Sequence, residues 1–280
     1  MSALLHRLSR LWRRQPPAPP ALPAGSAVNR RYEILCQLGG SHCDRTYLAE
    51  DWWYGGWCVL TEFAPRIRHS QELALAREQV QESIQVLQQL DHPQIPEFRE
   101  VFECQAGGLT RWVVVQEWIE GLKYVDLIKS KPFTETEVVQ FLQDALPALD
   151  YLHQQKPPML HRNIKPSTLL QSRENGKPVL IQFGDIKEIA ALVSRPGANQ
   201  AMQALDARFQ PPEYHQGDFY PSGDLYGLAV TALTMLTGCG DPERLYDPKT
   251  QRWRWARYTG VSIGLAVILE RMLQGDPALA

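Results

Sequence analysis

Residues 160–170 read LHRNIKPSTLL and bring His161, Arg162, Asn163, Lys165 and Thr168 into one short loop. Chemistry on a hydroxyl needs a group that takes up its proton. The amide of Asn163 hydrogen-bonds but takes up no proton near neutral pH, so general-base help, typically about 10²–10⁴ in rate, is not available from it. Thr168 contributes only a hydroxyl. Downstream, Gln182-Phe183-Gly184 offers a second neutral amide, which is a poorer ligand for a hard cation than an anionic oxygen. Upstream, Leu38–Asp44 reads LGGSHCD. Gly39 and Gly40 give bare backbone that can press on a phosphate, whereas Asp44 adds a carboxylate that would repel one. Thr61, in CVLTEF, carries a short neutral side chain. Taken as chemistry, these positions bind and support more than they react.

The elements that would position these residues change character along the chain. YEILCQL, TYLAEDW and CVLTEF read as strands around a Gly-bearing turn, with Pro65 ending the third. Leu73, Ala76, Val80, Ile84, Leu87 and Leu90 step by three and four, which predicts a helix over 71–90. RWVVVQEWI, rich in β-branched and aromatic residues, is a buried strand. The remainder is mostly helical. Thr134 and Glu137 form a capping box opening a helix that ends near His153, with a local kink expected at Pro147. KPVLIQF is a short strand. SGDLYGLAVTALTMLT, 222–237, is apolar nearly all round and reads as a helix buried inside a lobe, with Gly238 as its stop.

In this order, LGGSHCDRTYLAED, CVLTEF, the 71–90 helix, VQEWIEG, HRNIKPSTLL, IQFG, QPPEY and SGDLYGLAVTALTMLTG resemble the protein kinase fold. HPQIP, VQEWIEG and RWRWARYTGVSIGLAVILERML look like bacterial serine/threonine protein kinases of eukaryotic type, and the resemblance covers about 30–277. It implies an α+β, bilobal fold with a β-rich lobe at 30–120 and a mainly helical lobe at 121–280. It also implies that the cleft between them holds magnesium-nucleotide, with ATP as phosphoryl donor.

Measured against that family, this sequence departs at the reacting positions. The loop pattern H-R-D-x-K-x-x-N has Asn163 in place of the base and Thr168 in place of a metal-facing amide. The D-F-G aspartate is Gln182, the V-A-I-K lysine is Thr61, and its helix glutamate falls at Ser83. Of the three loop glycines only Gly39 keeps its slot, the others being Ser41 and Asp44. The architectural positions are kept: His161, Arg162, Lys165, Phe183, Gly184, Glu213 and Asp224. Asp224 is expected to hold the loop backbone. His161, Phe183 and Leu87 are expected to form the apolar column joining the lobes. Relatives extend past the point where this sequence reads GDPALA, with an Arg that pairs with the Glu213 slot. The expected helical lobe is therefore truncated at its C-terminal end, or completed by another molecule. Gly39, Gly40, Val59, Glu117 and Trp118 remain weak candidates for lining a nucleotide cleft.

The expected function is a degenerate member of the family, a pseudokinase acting as scaffold or allosteric regulator in signalling, with no catalytic residue, metal site or cofactor. The alternative is a weakly active or unorthodox serine/threonine kinase that would use ATP and magnesium, with Lys165, Asp185 and Asp44 as its candidate groups. The net charge of −2 across 280 residues gives no general pull toward nucleic acid. Cys36, Cys43, Cys58, Cys104 and Cys239 are scattered, without a C-x-x-C pair, and read as reduced thiols of a cytoplasmic protein. The 44% hydrophobic content suits a globular core. Residues 1–14 read as a basic amphipathic helix, with Leu4, Leu8 and Leu11 beside four arginines. They suggest peripheral membrane contact through residues 3–14. Residues 15–29 read as a Pro-rich linker, of which QPPAPPALPAGS cannot pack as helix or sheet and is expected to run extended. A protein partner is expected.

Overall fold

In the computed structural model the described residues are 20–40, 44–63, 78, 81, 84–106, 109–183, 207–216, 219–250 and 252–274. The strand patterns of the first lobe produce β1 (Ala27–Val28), β2 (Tyr32–Gly40), β3 (Asp44–Asp51), β4 (Trp57–Phe63), β5 (Phe98–Ala106) and β6 (Leu109–Glu117). They form one antiparallel sheet in the order β1-β2-β3-β4-β6-β5. Period-two alternation gives this sheet two apolar faces. Tyr32, Ile34, Tyr47, Cys58, Leu60, Val113 and Val115 fill one. Phe63, Phe98, Trp112 and Val114 face the other way, into a core shared with the second lobe.

The chain just after the Pro-rich stretch is held on the sheet. Ala27 and Val28 pair with Glu33 and Tyr32, so residues 20–29 lie along the sheet and do not hang free of it. The cause is a set of backbone partners: Gly25 N–H donates to Ile34 O at 2.8 Å, and Leu22 N–H to the Tyr47 hydroxyl at 3.1 Å. Prolines cap no ladder here, because the pairing residues are the non-proline ones.

The second lobe is built around α1 (Tyr124–Ser130), α2 (Glu135–His153), α3 (Pro221–Thr237) and α4 (Ile263–Met272). The small sheet β7 (Gly121–Lys123), β8 (Leu169–Ser172), β9 (Pro178–Leu180) lies under the cleft, and β10 (Tyr246–Asp247) pairs with β11 (Arg252–Trp253). The Thr134–Glu137 capping box is formed. α2 runs unbroken through Pro147. α3 buries fourteen of its residues and ends on Gly238 at φ 65°, a conformation only glycine adopts cheaply. Of the helix expected over 71–90, residues 78, 81 and 84–87 are described as helical, and Ile84 and Leu87 are buried in the core. The basic segment 3–14 lies outside the described residues, and no helix among those described is long and apolar enough to cross a membrane.

Candidate active-site cleft

Asp224 anchors the loop from the first turn of α3. It is 1% exposed, and both its oxygens accept backbone donors: His161 N–H at 2.8 Å and Arg162 N–H at 2.7 Å. His153 Nε2, at the end of α2, lies 3.0 Å from the same carboxylate. This third contact joins α2 to α3, and nothing in the sequence relates residues so far apart. The anchored backbone turns sharply, with Arg162 at φ 59°. The Arg162 guanidinium stacks over the Phe219 ring at 4.1 Å.

With its backbone fixed, the loop uses up its own polar side chains. Thr168 is fully buried, and its hydroxyl donates to Asn163 O and lies within hydrogen-bond reach of Lys165 O and N–H. Asn163, 6% exposed, donates from Nδ2 to the carbonyl of Gln182 at 2.6 Å. Gln182 is itself left-handed, at φ 59°, an uncommon conformation for a residue with a side chain. The Asn163 amide therefore pins the strained peptide that leads into Phe183. Phe183 is fully buried and stacks on His161 at 4.4 Å and on Phe98, edge to face, at 5.7 Å. Leu87 belongs to the same buried cluster as Phe183.

Across the cleft, Thr61 sits mid-strand on β4, opposite Thr46 and Val114. Val59 lies opposite Leu48 and Gln116. Gly39 opens onto empty space, and Gly40 takes φ 108° at the end of β2. At the hinge, Glu117 N–H is already bonded to Glu97 O at 2.9 Å. Trp118 packs edge-on against Trp57 at 6.5 Å, its indole N–H buried without a hydrogen-bond partner among the described residues. Ser41, Ser83, Gly184 and Asp185 lie outside the described residues, as does the Asp44 side chain.

Below the loop, Arg162, Asn163, Ile164, Lys165, Tyr214 and Gly223 line a shallow pocket. Gly223 is forced by Tyr214: a Cβ there would lie 2.1 Å from the phenol oxygen. Burial raises the Tyr214 phenol well above its ordinary range, so it stays neutral. Glu213 keeps one carboxylate oxygen buried with no hydrogen-bond partner among the described residues. Among the same residues, no cluster of His, Cys, Asp or Glu has metal-ligating geometry.

The protein kinase domain matches residues 63–252, more than half of the chain. The chain is 32% identical to serine/threonine-protein kinase B of Synechocystis sp. over 88% of its length, and 30% identical to serine/threonine-protein kinase PknA of Nostoc sp. over 89%. It spans less than half the length of these relatives, 44% and 45%. The crystal structure of the Mycobacterium tuberculosis PknI kinase domain superposes with a TM-score of 0.65 at 22% identity, covering 92% of this chain and 93% of that one. The apo form of PpkA-294 gives 0.67 at 20%, covering 92% and 94%. The chain belongs to the protein kinase family and has its bilobal fold.

Proposed function

We propose that this member of the family is a pseudokinase, working as a scaffold or allosteric regulator by binding a protein partner. The observation that carries the reading is the bond from Asn163 Nδ2 to Gln182 O. In this family the slot of Asn163 supplies the base. Here it holds a donor committed to the fold, and a donor so placed neither takes a proton nor tolerates a carboxylate. Thr168 supports the same reading, because its buried hydroxyl is consumed by the loop backbone and offers nothing to a metal. Thr61 supplies no cation to a triphosphate. Magnesium and ATP are therefore not used as a reacting pair. The test is calorimetric titration of the full chain with ATP, with and without magnesium. Binding absent in both, or weak and indifferent to magnesium, fits the reading; tight, magnesium-dependent binding overturns it. The basic segment 3–14 is proposed to fold on an anionic surface, as its Leu/Arg pattern suggests.

A further inference from the structure

The hairpin joining β3 to β4 reads DWWYGGW and leaves four aromatic side chains in solvent: Trp52 52% exposed, Trp53 69%, Tyr54 82% and Trp57 53%. Water-facing aromatics at this density mark an interaction site, since apolar surface is costly to leave open. The cluster is also held in place. Asp51 accepts Trp53 N–H at 3.0 Å and takes two bonds from the Arg31 guanidinium, at 2.8 and 2.6 Å. That guanidinium lies 5.0 Å from the Trp53 ring and 4.7 Å from the Tyr54 ring. Gly55 and Gly56, both left-handed, turn the chain so that the rings stay outside. A fixed aromatic platform of this kind suits a polyproline segment, which docks on aromatic faces with little entropy to lose.

We propose that the platform receives the Pro-rich segment of a second copy of this chain, around Gln15–Pro19, so that two copies exchange segments about a two-fold axis. The path of the described residues excludes the chain's own segment. Pro20 O accepts from Arg111 at one end of the sheet, Leu22 is bonded to Tyr47 midway, and Arg31 is tied to Asp51 at the platform end. Followed backwards, the chain at Pro20 is heading away from the platform. Strand β4 alone separates the two ends by seven residues, about 20 Å at ~3.3 Å each. Residues 15–19 reach only about 15 Å if extended, and proline-rich chain does not double back. Charge fits as well. Glu33 and Glu50 stand directly opposite each other on β2 and β3, and Glu50 is opposite Trp57 beside the platform. Facing carboxylates repel, and Arg13 and Arg14, just before the segment, would relieve them from the partner.

Sedimentation velocity on the full chain tests this. The expected result is a dimer at about 50 µM that Trp53→Ala with Tyr54→Ala weakens at least tenfold. Glu50→Lys also weakens it, and adding Arg13→Glu with Arg14→Glu to the Glu50→Lys chain restores it. Glu50 is exposed, so this charge-swap arm stays readable even where the aromatic variant fails to fold. A monomer throughout, or a dimer indifferent to both arms, overturns the proposal. So does a Trp12→Phe chain, which lacks the tryptophan of the basic segment, that stays monomeric while its tryptophan emission shifts blue on vesicles of phosphatidylserine, which would make the occupant a lipid surface.

Discussion

The Asn163 side chain ties the loop to the peptide that leads into Phe183. Its Nδ2 donates to Gln182 O at 2.6 Å, and Gln182 is left-handed. Replacing the amide with a carboxylate sets an acceptor against an acceptor. Asn163→Asp is therefore expected to lower stability by about 1–3 kcal/mol, read as a fall in Tm, with no gain in transfer. An unchanged Tm would remove the argument. Asp224→Ala strips three partners from one buried carboxylate and leaves two backbone donors unmet, His161 N–H buried and Arg162 N–H half-buried. It is expected to lower Tm by ~5–10 °C, and a melt like that of the parent would show that the start of α3 carries no such load. That Asp224 meets the loop backbone and that Phe183 lies against His161 was legible in the sequence, because their spacing matches the family pattern. The contacts of His153 with Asp224 and of Phe219 with Arg162 were not, since each depends on where separate elements meet in space.

Among the elements, the β3–β4 hairpin depends on Asp51. The Arg31 guanidinium, bonded to it twice, holds the Asp51 carboxyl below its ordinary value. A depressed folded-state pKa adds stability that is complete above the unfolded value, about 3.9, and is lost as pH falls through the lower folded value. Asp51→Asn should thus cost about 3 kcal/mol at neutral pH, with the gap to the parent closing in strong acid. Urea melts at pH 7 and at successively lower pH check this, and a gap constant with pH would contradict it. Helices α2 and α3 were legible because a capping box and an all-round apolar run are strong local signals. Strand β5 went unread: FREVFECQA mixes charges into its alternation, and it is a strand because β6 lies beside it. The pairing of Ala27–Val28 was hidden for the same reason, since the backbone partners that recruit it come from β2.

At the scale of the whole molecule, the chain has the family's bilobal fold, and in its cleft Asn163 and Thr168 are buried. The core runs unbroken from Phe63 and Phe98 through Phe183 to α3, so the lobes are joined as the family joins them. The base slot, both metal slots and the phosphate-lysine slot hold Asn163, Thr168, Gln182 and Thr61. Groups that act as a unit do not recover one at a time. A base restored at 163 alone would face no positioned phosphate, because a contact of two charges at 4 Å, about 4 kcal/mol at an effective dielectric near 20, is missing at Thr61. The most direct measurement is phosphate transfer from magnesium-ATP to a generic protein substrate by three chains: the parent, Asn163→Asp, and the combined Thr61→Lys, Asn163→Asp, Thr168→Asn, Gln182→Asp variant. The account predicts no transfer by the first two and at most weak transfer by the third. Magnesium-dependent transfer by the parent chain would contradict it.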